Sequence, residues 1–145
     1  MILNQNFREF IALLNANHVD YLLVGGYAVV FHGYPRLTGD MDIWVRPDKE
    51  NAPRIIRALA EFGFASLGLR AEDFTSENNI VQFGYPPLRI DVMTAIDGVN
   101  FEECFARRLV SDVSGITVNV IHLDDLKTNK RSTGRFKDLN DIEHL

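Results

Sequence analysis

At 145 residues the chain has room for one domain, residues 1–145, with a core of its own and no second. A hydrophobic share of 46% with 24% charged residues excludes disorder, and a net charge of −5 argues against a general nucleic-acid binder held by phosphate contacts alone. The single cysteine, Cys104, cannot pair internally; between Phe101 and Phe105 it reads as a buried thiol, which fits a reducing cytoplasm. The first residues lack a basic segment followed by an apolar run, and no stretch approaches the length of a membrane span, so a soluble cytoplasmic protein is expected.

Phe7, Phe10, Ile11 and Leu14 recur at i, i+3, i+4 and i+7, which predicts an amphipathic helix over about residues 6–15. Asn15, Asn17 and His18 interrupt it, and Val19 to Val24 reads as a strand. Gly25-Gly26 then lets the backbone turn tightly and approach a ligand with no Cβ in the way. A short helix from about Tyr27 to Phe31 would aim its first N–H groups at an anion. The next strand carries Asp40 and Asp42 on one face and Met41, Ile43 and Val45 on the other. Paired carboxylates repel each other, and a hard divalent cation between them turns that liability into a ligand set. Trp44 falls on the carboxylate face, as a base-stacking ring or, more economically, as core; His32 reads as a packed or capping residue.

Arg46-Pro47-Asp48 ends that strand, and a helix follows over about 51–62 with Ile55, Leu59 and Phe62 buried and Gly63 at its C-cap. Residues 65–79 form a loop or short helix beside the site, the expected source of base selection. Strands over 80–83 and 88–95 meet across Gly84-Tyr85-Pro86-Pro87, a hairpin turn, and the second carries Asp91 within Arg89-Ile90-Asp91-Val92-Met93. Asn100 to Glu103 resembles a capping box that opens a helix to about Arg107. Strands over 109–112 and 116–121 form a hairpin across Ser114-Gly115. Two helical pieces, about 123–131 and 136–145, close the chain and carry Lys127, Lys130, Arg131, Arg135 and Lys137. Interleaved strands and helices with hairpins define a mixed α/β (α+β) class.

Gly25-Gly26, thirteen residues, then Asp40-Met41-Asp42-Ile43, with a later strand aspartate at Asp91, resembles the signature of the DNA polymerase β-like nucleotidyltransferase superfamily. The likeness reaches small stand-alone members, including relatives of abortive-infection toxins, and extends over nearly the whole chain. It implies a mixed sheet with flanking helices and two Mg²⁺ ions, with Mn²⁺ as a substitute. Asp40 and Asp42 would bridge both ions, and Asp91 would complete the one that activates an acceptor hydroxyl. It also implies an NTP substrate such as ATP, release of pyrophosphate, and transfer of a nucleoside monophosphate to RNA, for example tRNA, or to a protein hydroxyl. A cognate partner chain in a toxin–antitoxin pair, or a homodimer, would supply a missing wall.

Arg36 and Thr38 match positions that carry an Arg and a Thr in similar proteins, as phosphate or acceptor contacts; a loop cation and a strand-start hydroxyl are the plain alternatives. Lys130 and Arg135 match the closing basic motif near the triphosphate, against the alternative of a solvated helix surface. On the first reading, Lys130→Ala should raise the NTP requirement more than it lowers thermal stability. Gly26 departs from the Ser that many active members carry, which removes a hydroxyl donor. A catalytically silent nucleotide-binding or antitoxin-like module is therefore the second hypothesis, and a metal-dependent phosphohydrolase the third.

Overall fold

The computed structural model describes residue 1 and residues 3–84 and 89–145. The expected Tyr85-Pro86-Pro87 turn lies outside them. The first helix, α1 (Gln5–Ala16), buries Phe7, Phe10, Ile11 and Leu14, and the Asn4 side chain caps it by accepting from Asn6 N at 2.8 Å. Strand β1 (Tyr21–Val24) runs directly into helix α2 (Gly25–Phe31), so both glycines form the helix's first turn instead of a separate loop. Strand β2 (Met41–Val45) is followed by α3 (Asn51–Leu59). Helix α3 is shorter than its sequence pattern suggests. Gly63 takes φ +109 inside a wider π-type turn, Ala60–Phe64, because only glycine enters that region without cost.

The stretch least legible in the sequence folds as two single 3₁₀ turns, Ala65–Leu67 and Ala71–Phe74, anchored by the buried Phe74. Strands β3 (Ile80–Phe83) and β4 (Ile90–Met93) pair antiparallel. Helix α4 (Phe101–Ala106) starts at Asn100, whose side chain accepts from Glu103 N at 3.2 Å. Strands β5 (Leu109–Val113) and β6 (Ile116–Val120) form the expected hairpin, with Ser114 and Gly115 both at positive φ as a two-residue turn of the primed type requires. Helices α5 (Leu123–Thr133) and α6 (Phe136–Glu143) meet at Gly134, which caps α5 in the left-handed conformation.

The six strands form one mixed sheet in the order β3-β4-β2-β1-β6-β5. All four residues of β1 are buried, as are four of the five in β2, so the sheet's centre is covered on both faces. That explains why neither strand alternates apolar with polar, and why Asp42 stands out as the one polar residue of β2. Trp44 is 2% exposed and packs edge-on against Phe101, centroids 5.1 Å apart. It is core and offers no surface to a base. Cys104 is fully buried, and burial first, with Asp125 beside it, pushes its thiol up to about 12, so it is inert. His32 ends α2 and holds the sheet through a 2.8 Å contact from Nε2 to the Ile121 carbonyl. No helix among the described residues is long and apolar enough to cross a membrane.

Candidate active site

Two strand registers build the site. The antiparallel pairing of β1 with β2 sets Val24 opposite Asp42, which brings Gly25 against the aspartate. The parallel pairing of β2 with β4 sets Asp42 beside Asp91. Chain segments far apart in sequence therefore place a glycine turn and two carboxylates at adjacent positions on neighbouring strands. A cleft of about 560 Å³ opens there, lined by Gly25, Gly26, Arg36, Thr38, Asp40, Asp42 and Asp91 together with Lys130, Arg135 and Lys137. The three aspartates, two glycines, Arg36, Thr38, Lys130 and Arg135 assigned to the site from the sequence thus line one cavity.

The glycines are required by packing. Gly25 has φ +65, and a Cβ on it would collide with Asp42 Oδ2. A Cβ on Gly26 would collide with Thr38 Oγ1 and come within 3.3 Å of Arg36 Nη2. The space that a serine side chain would need at position 26 is thus already filled by a hydroxyl, that of Thr38. The cleft has an alcohol beside the turn even though residue 26 does not bring it.

The carboxylates depart from the sequence reading in one respect. Asp40 is not in the strand: β2 begins at Met41, and Asp40 sits in the bend before it. There it accepts a 2.5 Å hydrogen bond from Arg89 Nη2, while Arg89 Nε lies 3.3 Å from Asp91 Oδ1 without the alignment of a hydrogen bond. Among the described residues, accordingly, Arg89 Nε and the buried Asp91 Oδ1 have no hydrogen-bond partner, and no three potential ligands converge as a metal-binding group. Burial, and then repulsion from Asp91 and Asp40, pushes the Asp42 carboxyl up to about 7. Burial also raises Asp91, against the pull of Arg89.

Burial and mutual repulsion leave these carboxyls short of a partner cation at the cluster itself. Hard oxygen donors on adjacent strands, one of them orphaned, match what Mg²⁺ or Mn²⁺ accepts. Asp42 and Asp91 offer such donors from paired strand positions, and Asp40 would add its own once released from Arg89.

The basic wall is a buried ion network. Lys130 Nζ donates to Asp138 Oδ1 at 2.9 Å and lies 3.0 Å from Asp141 Oδ2, and all three side chains are almost fully buried. Arg36 grips Asp141 with two parallel bonds, Nε to Oδ1 at 2.8 Å and Nη2 to Oδ2 at 2.9 Å. Arg135 Nε donates to Asp138 Oδ2 at 2.8 Å. Although burial works to raise it, hydrogen bonds from Lys130, Thr133 and Arg135 hold Asp138 down at about 2. Three cations share two carboxylates, so the wall keeps one surplus positive charge, with Lys137 beside it.

This arrangement changes the expectation for Lys130, whose ammonium is spent on buried partners. Removing it takes the ammonium that two buried carboxylates share and leaves one arginine to each, so Lys130→Ala should cost stability as well as nucleotide affinity. Sequence reasoning missed Asp141 and Arg89. Asp141 lies four residues from the end of the chain on a helix face that reads as solvated, and Arg89 reads as an ordinary strand-start cation.

Two solved structures share the fold of this chain. One is a Thermotoga maritima protein assigned as a nucleotidyltransferase, with TM-score 0.63 and 15% identity over 95% of this chain and 88% of that one. The other is a lincosamide antibiotic adenylyltransferase solved with lincomycin bound, with TM-score 0.58 and 16% identity over 98% of this chain and 95% of that one. No protein-family model and no curated protein sequence matches the chain.

Proposed function

We propose that the protein is a metal-dependent nucleotidyltransferase that moves a nucleoside monophosphate from an NTP to a hydroxyl and releases pyrophosphate. The observation that carries this reading is the Asp42–Asp91 cross-strand pair lying against the Gly25 turn in a single cleft. Divalent cations would lower the acceptor hydroxyl's pKa and offset the charge that builds on pyrophosphate. Asp42, Asp91 and, once released, Asp40 would hold them. Gly25 and Gly26 let the triphosphate approach the backbone, and the Thr38 hydroxyl stands beside it. The surplus charge of the Arg36–Lys130–Arg135 wall draws the phosphates in, and its buried carboxylates fix the cations in place with no reorganisation needed at the moment of transfer. The acceptor oxygen bonds to the α-phosphorus as the α–β bridging bond breaks, and its proton passes to a cleft carboxylate such as Asp91.

The acceptor class follows from the resemblance: an RNA such as tRNA, or a Ser, Thr or Tyr hydroxyl of a protein, with a cognate chain of a toxin–antitoxin pair or a second copy completing the wall. The net charge of −5 favours protein over a large nucleic acid. The chain's likeness to the lincosamide enzyme adds a small-molecule hydroxyl as a third arm of the test.

In the assay, NTPs labelled at the α-phosphate are incubated with Mg²⁺ or Mn²⁺ and with tRNA, cell protein or a panel of small alcohols. Transfer of label to one pool, with pyrophosphate formed and with loss of both in Asp42→Asn, supports the reading. Release of phosphate instead of pyrophosphate marks a phosphohydrolase.

The hold of Arg89 on Asp40 favours one second reading, a nucleotide-binding module without turnover. It predicts a thermal shift with NTP and no label in any pool.

A further inference from the structure

The cation that occupies the carboxylate cluster in this structure is a side chain. Arg89 lies two residues before Asp91, on the same side of the chain, and reaches over the cluster to meet Asp40 at 2.5 Å and Asp91 at 3.3 Å. Only the Asp40 contact is a formed hydrogen bond; the Asp91 contact leaves a buried nitrogen and a buried oxygen facing each other unsatisfied. Asp42 has no ion-pair partner among the described residues; Lys130 and Lys137, on the far wall of the cleft, act on it without contact. One guanidinium therefore answers part of the charge of three carboxylates and leaves the rest unmet. The contact can also open. Both side chains are about a third exposed, 32% for Arg89 and 34% for Asp40, and Asp40 stands in a bend outside the strand ladder. Parting them disturbs neither the core nor the sheet.

We infer that Arg89 is a built-in counter-cation that sets the affinity of the cluster for divalent metal, because an ion gains Asp40 only when the guanidinium gives it up. The inference rests on the metal-site reading of Asp40, Asp42 and Asp91. It accounts for why those residues share a cleft yet gather no set of three ligands. An ion entering the cleft meets Asp42 and the orphaned Asp91 oxygen at once. Its third carboxylate costs the Arg89–Asp40 bond, a charge-assisted one and so among the stronger kinds. Arg89 thus keeps the resting site loosely metallated while preventing the repulsion from splaying it.

The test is a Mn²⁺ titration of the nucleotide-free protein, read by the EPR signal of free Mn²⁺ and by melting temperature. Arg89→Gln should bind Mn²⁺ about tenfold more tightly than wild type, the weight of one charge-assisted hydrogen bond. Arg89→Lys, which keeps the charge, should stay near wild type. The gain should vanish in Asp40→Asn/Arg89→Gln, because the freed ligand is then missing. Arg89→Met replaces Arg89→Gln should the latter melt early in EDTA.

Equal or weaker binding by folded Arg89→Gln overturns the inference. So does a gain that persists in the double variant, since that would be a general charge effect. In both cases wild-type binding that Asp42→Asn abolishes leaves the metal site standing. Absence of Mn²⁺ binding in every variant removes the metal site and this inference together.

Discussion

Replacing Asp42 with Asn should stabilise the metal-free protein at alkaline pH while abolishing its proposed chemistry. The Asp42 carboxyl is raised from 3.8 to about 7, first by burial and then by Asp91 and Asp40. A group whose folded value lies above its unfolded one adds stability that is fully present below the unfolded value, here 3.8, and lost as pH rises through the folded value, here about 7. The loss between those limits is roughly 4 kcal/mol at about 1.4 kcal/mol per pH unit, a ceiling because the cleft admits water. About 2–3 kcal/mol is a fair expectation, or a melting shift of roughly 5–10 °C for a chain of this size.

The assay is urea unfolding in EDTA at pH 5 and pH 8.5, followed by the fluorescence of Trp44, the chain's single tryptophan and a buried one. Comparing wild type with Asp42→Asn at each pH cancels His32, whose burial-lowered value acts in the same window with the opposite sign. The variant should gain on wild type between the two pH values, and Mn²⁺ should restore wild type at pH 8.5 without helping the variant. A variant less stable than wild type at pH 8.5, or a difference independent of pH, would refute the account of a charge-starved carboxylate cluster.

The remaining expectations concern the turn and the basic wall. Gly25→Ala forces a Cβ into Asp42 at a positive φ, and should lower stability by about 1–3 kcal/mol in urea and remove activity with it. Gly26→Ser collides with Thr38, so it should impair NTP binding by itself and be relieved in Gly26→Ser/Thr38→Ala, measured as KM in the label-transfer assay. Lys130→Ala takes from Asp138 and Asp141 the ammonium they share while leaving each an arginine, and calorimetry should show a loss of about 1–3 kcal/mol; a melting temperature within a degree or two of wild type would overturn the network's structural role. Chelation by EDTA should abolish label transfer, and Mn²⁺ or Mg²⁺ should restore it.

What could be read along the chain was whatever one segment decides by itself. The spacing of Phe7, Phe10, Ile11 and Leu14 defines the buried face of α1 without help from the rest of the molecule. Ser114-Gly115 sets its hairpin because a two-residue turn of that type needs two positive φ values. The glycine pair and the spaced aspartates were visible for the same local reason. Residues 65–79 were not legible, since single 3₁₀ turns have no periodicity and are held by one distant anchor, Phe74.

The tertiary structure alone decided how charges pair. Register between strands that are remote in sequence put Asp91 beside Asp42 and Val24 opposite it, and that register depends on how both faces of the sheet are covered. The fold also turned five apparent surface charges, Arg36, Lys130, Arg135, Asp138 and Asp141, into one network, and placed Arg89 across the carboxylates. A sequence states how many charges there are. Which of them lose water, and so must find each other, is settled only when the chain has closed around them.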